Sequence, residues 1–295
     1  MFKKSLILLL SVFSFSLFAQ TSNLNVKWEE LTSPDFVKAI EKSEGVCIIP
    51  IGIVEKHATH LPLGTDLLDV REIAVKAAEK EYSIVFLPYY FGQIFEAKHQ
   101  PGVIAYSSET IMKLLRETCD EISRNGIKKI VIINGHGGNN SFLSYFIQTQ
   151  LEAKRDYAIY SYNPLANPEA EAEIAKLKKN KFDYHAGEWE TAGILAFRPD
   201  LVKMEEIDKE SGADLNRLNN LKDNSTAIWW YASFPNHYAG EAANSTKELG
   251  EVIHKYAIQQ FAEYLKSVKA DKNVMELQNQ FFKESKNPLE TLPKK

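Results

Sequence analysis

Apolar positions in this chain follow two alternating rhythms. Mainly apolar runs, Val46–Ile53, Ile84–Leu87, Ile127–Asn134 and Tyr157–Tyr162, are separated by stretches in which apolar residues recur every three or four positions, Leu67–Lys80, Ser108–Arg124 and Ser141–Lys154. The first rhythm suits strands buried on both faces, and the second suits helices with one buried stripe. Strands regularly separated by helices predict an α/β fold: a mainly parallel sheet with helices on both faces.

The flanking segments complete the pattern. A Ser-Pro-Asp start signal opens a short helix, Ser33–Lys42, ahead of the first strand. Beyond the fourth strand, Glu205–Asn224 is polar and reads as loop, and Ile228-Trp229-Trp230-Tyr231 is an aromatic cluster suited to a pocket wall or to core packing. Thr246–Val268 has the period of a long amphipathic helix, whereas residues 269–295 are charged and expected to be loosely held. With no internal repeat, low-complexity tract or shift in composition, residues 20–268 read as one domain.

The first nineteen residues stand apart. Lys3-Lys4, an apolar run from Ser5 to Phe18 and the small residue Ala19 form a secretory signal pattern, residues 1–19, with cleavage expected between Ala19 and Gln20. The run is shorter than the roughly 20 residues that span a bilayer. An exported protein, periplasmic in a double-membraned bacterium and free of the membrane after cleavage, is the expectation. Net charge is −4, which points away from nucleic acid and anionic membranes. Cys47 and Cys119 lie far apart, the former inside a strand run, and read as buried thiols.

Three segments carry chemistry. Directly after the first strand run, Glu55, His57 and Asp66 fall within twelve positions, and such a set supplies the borderline-hard donors that Zn²⁺, Mn²⁺ or Fe²⁺ accept. The third strand run ends in Asn134-Gly135-His136-Gly137-Gly138-Asn139-Asn140, a flexible turn around one histidine. In open parallel sheets ligands bind beyond the carboxyl ends of the strands, which is where both loops lie. The third segment, Asp183-Tyr184-His185-Ala186-Gly187-Glu188-Trp189-Glu190-Thr191, puts a histidine and two carboxylates at a helix start. His185 and Glu188 are read into the site because the cluster needs further donors; Glu190 is read as complementing the helix dipole. His60 is read either as orienting a ligand carboxylate or the substrate or as structural, His99 either as reaching the pocket from a neighbouring loop or as structural, and His237 and His254 carry no assignment.

With these residues in place, the chain resembles the creatininase (creatinine amidohydrolase) family from about Trp28 to Lys266. The likeness rests on Glu55 to Asp66, Pro101-Gly102-Val103-Ile104, Asn134 to Asn139, His185 to Thr191 and the Gly240–Gly250 segment. It implies a single α/β domain, usually assembled into homo-oligomers, and a binuclear centre of two divalent ions, Zn²⁺ foremost, with Mn²⁺ or Fe²⁺ as alternatives. Glu55, His57, Asp66 and His136 match ligands, Asp66 as the bridge. The fifth ligand in creatininase is a Glu two residues after the loop histidine, where this chain has Gly138; the resemblance then assigns the role to Glu188. His185 matches a proton-transfer histidine. Tyr184, Ala58 and Ala192 depart from the family's usual Glu, Gly and Ser.

The implied activity is hydrolysis of a C–N amide bond in a small-molecule substrate, such as a cyclic amide, a formamide or a small peptide, by water activated at the metals. Hydrolysis or isomerisation of a sugar derivative is the alternative. A non-catalytic metal- or ligand-binding protein is a third reading.

Overall fold

A computed structural model describes residues 24–221 and 226–291; the expected signal segment, residues 1–19, lies outside them. Four parallel strands, β1 (Val46–Ile51), β2 (Ile84–Val85), β3 (Lys129–Asn134) and β4 (Ala158–Ser161), form one sheet in the order β2-β1-β3-β4. The expected parallel α/β arrangement is what forms. β1 and β3 pair from Val46↔Lys129 to Ile51↔Asn134, so their carboxyl ends finish side by side.

Continuous apolar runs follow from burial on both faces. Cys47, Ile49, Ile51, Ile130 and Ile132 pack with Leu115, Ile122 and Phe146, whereas Val46, Ile48, Val131 and Ile133 face Val70, Ala74, Phe261 and Leu265. The first set meets α1 (Ser33–Lys42), α3 (Ser108–Arg124) and α4 (Asn139–Gln148); the second meets α2 (Thr65–Lys80) and α8 (Lys247–Ala270). Cys47 and Cys119 are both buried free thiols in the first layer.

Helix starts use side-chain caps. Thr32, Ser107 and Thr246 accept backbone N–H bonds from Asp35, Thr110 and Leu249, satisfying donors the helix leaves free. The same device opens α5 (Pro168–Leu177) at Asn167, an element absent from the expectations above. Asp183–His185 is a short strand, β5, paired antiparallel with β6 (Ala239–Gly240), and α6 (Glu188–Phe197) follows it. The aromatic cluster forms α7 (Trp229–Ser233). Within the charged tail, α9 (Asn273–Glu284) forms a further helix, from which Gln278 donates to the Tyr157 carbonyl at 3.1 Å. No helix among the described residues is long and apolar enough to cross a membrane.

Three close approaches set the site. A Cβ at Gly52 would lie 2.3 Å from Leu67 Cα, and one at Gly135 would lie 2.7 Å from the Asp66 carbonyl oxygen. The first turn of α2 is thus pressed onto the chain leaving β1 and β3. At the crossing of α8 and α6, a Cβ at Gly250 would lie 1.8 Å from the Ala192 carbonyl oxygen, so only glycine fits.

Candidate metal centre

The loop after β1 carries Glu55 and His57, the loop after β3 carries His136, and the first turn of α2 supplies Asp66 between them. All four are buried. His136 Nδ1 lies 2.8 Å from Glu55 Oε1 and 2.9 Å from Asp66 Oδ2. Neither of those buried oxygens has a hydrogen-bond partner. Three donor atoms converging on one space, two of them unsatisfied, fit a divalent cation, since buried carboxylate oxygens are costly to leave unpaired.

The other Asp66 oxygen defines a second set. His57 Nε2 lies 2.9 Å from Asp66 Oδ1 and 3.6 Å from Glu190 Oε2. His57 Nδ1 sits 3.3 Å from the Glu55 carbonyl oxygen, which can only accept, so Nδ1 carries a proton, and with no cation between them Nε2 carries a second and donates to Asp66 Oδ1. Asp66 therefore faces one histidine with each oxygen.

Glu188 is not in this cluster. Its buried carboxylate accepts from the backbone N–H of Lys179 at 2.9 Å and of Asn180 at 2.6 Å, tying the chain after α5 to the start of α6. Glu190, not the expected Glu188, is the carboxylate that the structure brings to His57: successive helix residues turn by about 100°, so positions 188 and 190 face roughly opposite ways. Glu190 accepts from the Ala186 N–H at 2.6 Å, which aims it inward.

His185 lies where the sequence places it, its ring 4.3 Å from that of His57. Its Nε2 donates to the Lys56 carbonyl at 2.8 Å, leaving Nδ1 unprotonated and 3.9 Å from Glu190 Oε2. Tyr184 points outward and is 73% exposed. His60 does not touch the cluster; it bonds Thr191 Oγ1 at 2.9 Å. His99 donates to the Pro235 carbonyl at 2.8 Å and so holds the chain after α7.

His237 is the residue that sequence reasoning missed. Its Nε2 reaches Glu55 Oε2 at 2.5 Å, across 182 positions of chain. The β5–β6 pairing brings it there, and no local pattern announces such a pairing.

Charges are strongly coupled. Burial opposes the His57 cation, but Asp66, Glu190 and Glu55 outweigh it and raise its pKa to about 10. His136, equally opposed by burial, is raised well above its ordinary value by Glu55 and Asp66. For Glu55, burial is overcome by the fields of His136 and His185 and by the close approach of the His136 and His237 rings, which hold the carboxyl well below the usual range. Burial lifts Glu190 to about 7, with His57 opposing and Asp66 adding. Burial also keeps His185 neutral, at about 3, against the pull of Glu55.

A cleft of about 940 Å³ opens over the glycine loop, with Gly137, Gly138 and Glu96 at its base and Trp229, Trp230 and Tyr231 on one wall. At Gly138 a Cβ would lie 2.4 Å from His136 Nε2 and 2.8 Å from Gln93 Oε1, so the space a side chain would need there is already filled.

A parallel α/β domain with histidines and carboxylates converging at its strand ends defines the class, a metal-dependent hydrolase. The sequence profile of the Creatininase family, described as creatinine amidohydrolase, matches residues 29–265, and the chain belongs to that family. Members of the family are metal-dependent amidohydrolases acting on small molecules. The chain is 24% identical to the creatinine amidohydrolase of Pseudomonas putida over 60% of this chain and 74% of that protein. It is 28% identical to a mycofactocin precursor peptide peptidase of Mycolicibacterium smegmatis, over 54% of this chain and 61% of that one. A creatininase crystal structure superposes with a TM-score of 0.72 at 21% identity, covering 84% of this chain and 99% of the other. Other creatininase structures carry Mn or Zn.

Proposed function

We propose that this chain hydrolyses a C–N amide bond with two divalent ions, Zn²⁺ foremost and Mn²⁺ or Fe²⁺ as alternatives. One would be held by Glu55, Asp66 and His136, the other by His57, Asp66 and Glu190. The observation that carries this reading is the convergence of Glu55 Oε1 and Asp66 Oδ2, both buried without hydrogen-bond partners, on His136 Nδ1. Bound there, such ions supply Lewis acidity toward the carbonyl oxygen and lower the pKa of water from about 15.7 toward about 7.

The chain's own residues divide the remaining work. His185 spends its Nε2 proton on Lys56 and stays neutral by burial, so Nδ1 is free to take the proton of the attacking water. That proton then passes to the departing nitrogen as the C–O bond forms and the C–N bond breaks. Trp230, whose ring lies 6.0 Å from that of His185, walls the substrate side.

The cleft volume favours substrates larger than a single small ring, such as formamides or short peptides bearing an apolar group. A sugar derivative is the second reading, favoured by the half-exposed faces of Trp229 and Tyr231 beside Glu96. Export through residues 1–19 and assembly into a homo-oligomer complete the proposal, resting on the N-terminal pattern and the resemblance.

Elemental analysis of the full chain beside Asp66→Ala tests the centre: about two ions per chain, falling sharply in the variant, is the expected result. Metal-free protein after Zn²⁺ and Mn²⁺ supply would overturn it. Turnover in a panel of cyclic amides, formamides, short peptides and aminated or oxidised sugars then separates the two substrate readings. Cell fractionation and sedimentation read export and assembly.

A further inference from the structure

One hydrogen-bonded chain runs from the cleft wall into the metal cluster. Trp230 Nε1 donates to His237 Nδ1 at 2.8 Å, and His237 Nε2 reaches Glu55 Oε2 at 2.5 Å. An indole N–H can only donate. His237 Nδ1 is therefore an acceptor, its neutral ring carries the proton on Nε2, and that proton points at Glu55.

Two consequences follow. Geometry alone would admit His237 as a metal ligand, since Nε2 lies within reach of Glu55 and His185. Ligation through Nε2 needs the proton on Nδ1, where the Trp230 N–H already points. Glu55, in turn, has its oxygens divided: Oε2 is committed to His237, and only Oε1 turns toward His136 and Asp66.

The backbone is arranged to hold this aim. His237 adopts a left-handed φ of 54°, which non-glycine residues rarely take unless neighbours impose it. Its N–H bonds the Phe234 carbonyl at 3.0 Å, and Arg217 Nε clamps the Ala232 carbonyl at 2.6 Å. His99 and Gln100 both donate to the Pro235 carbonyl, each at 2.8 Å.

We propose that Trp230 and His237 are positioning residues: Trp230 fixes the His237 tautomer, and His237 holds Glu55 as a one-oxygen ligand of the metal centre. The inference rests on the metal reading above, and it adds a mechanical link between the substrate wall and a ligand carboxylate.

The test is a double-mutant cycle with metal affinity as the readout, measured by chelator competition on the full chain, beside the visible spectrum of the Co²⁺-loaded protein. Trp230→Phe keeps the wall and deletes the N–H. His237→Ala deletes the relay, and His237→Gln restores one donor toward Glu55. Outer partners of this kind carry about 10–100-fold in metal affinity. The expected results are a loss in that range for Trp230→Phe and for His237→Ala, partial recovery in His237→Gln, and no further loss when Trp230→Phe is added to His237→Ala. Imidazole nitrogen shifts should report His237 with its proton on Nε2 in the wild type and a mixture in Trp230→Phe.

Independent, additive losses would overturn the relay. So would an ion lost outright from His237→Ala but kept in Trp230→Phe, which would make His237 a ligand. A wild type that binds ions while every variant matches it overturns the positioning role and leaves the metal centre standing; a wild type that binds none overturns both. Circular dichroism of Trp230→Phe and His237→Gln guards against loss of fold in His237→Ala.

Discussion

Glu188 and Glu190 stand two residues apart at the start of α6 and serve opposite ends of the problem. Glu190 Oε2 lies 3.6 Å from His57 Nε2 in the proposed metal cluster, while Glu188 spends both oxygens on the backbone N–H groups of Lys179 and Asn180. Substituting each by Gln separates the roles. Glu190→Gln is expected to lower metal affinity and turnover by about 100-fold or more with the melting temperature of the metal-free protein little changed. Glu188→Gln is expected to cost about 1–3 kcal/mol of stability, the worth of hydrogen bonds to a charged acceptor, with the metal content kept. Chelator competition and thermal melts on both variants decide it; the reverse assignment of the two effects would refute the geometry.

Metal uptake should release protons. His57 is raised to about 10 and His136 well above its ordinary value, so both are cationic at neutral pH when the carboxylates have no metal, and both must deprotonate to ligate. Apparent affinity is therefore expected to fall as pH falls, by up to about tenfold per pH unit for each proton displaced. Titration calorimetry in buffers of different ionisation enthalpy counts the protons, and a heat independent of buffer would contradict the prediction.

Gly138→Ala tests the filled space over the glycine loop. Its Cβ would sit 2.4 Å from His136 Nε2 and would displace that ring. A loss of about tenfold or more in metal affinity is expected, with the secondary structure unchanged. Native affinity in this variant would mean that His136 has freedom the packing denies it.

Away from the centre, His254 Nε2 and Asp69 Oδ1 pair at 2.7 Å between α8 and α2. Burial disfavours the His254 cation, but the Asp69 bond and the fields of Asp69 and Glu72 prevail and raise its pKa. A raised folded-state pKa gives stability that is full below the unfolded value of about 6.5 and is lost as pH rises through the folded value. His254→Gln is expected to cost about 1–2 kcal/mol at pH 5.5 and less at pH 9, read from denaturant melts at both. An equal cost at the two pH values would show that the pair contributes only packing.

The strands, and most of the residues that gather at their carboxyl ends, were legible because their signals are local. An apolar run that ends in Glu55-Lys56-His57 or in Gly135-His136 announces a strand and its loop within a dozen residues, and parallel topology then brings the two loops together. Asp66 belongs to the same stretch. The choice between Glu188 and Glu190 was not legible, because it depends on the rotation of α6 about its axis. That rotation is set by packing on α8, some sixty residues later. His237 escaped for a related reason: the antiparallel β5–β6 pair that delivers it is only three residues against two, too short for alternation to be read. The tail differed through specific bonds, since Lys129 Nζ donates to the carbonyls of Val268, Lys269 and Asp271 and Gln278 bonds the chain entering β4.

The contact of Gly250 with the Ala192 carbonyl oxygen makes a residue without chemistry answerable for chemistry. Glu190 rides on the same helix two positions earlier, so any side chain at 250 acts as a wedge whose thrust is delivered to a carboxylate on the opposite side of α6. A blind genetic screen for dead enzyme should therefore return Gly250 alongside the histidines, and a designer altering substrate choice is free to vary the tryptophan wall but has to inherit this helix crossing unaltered.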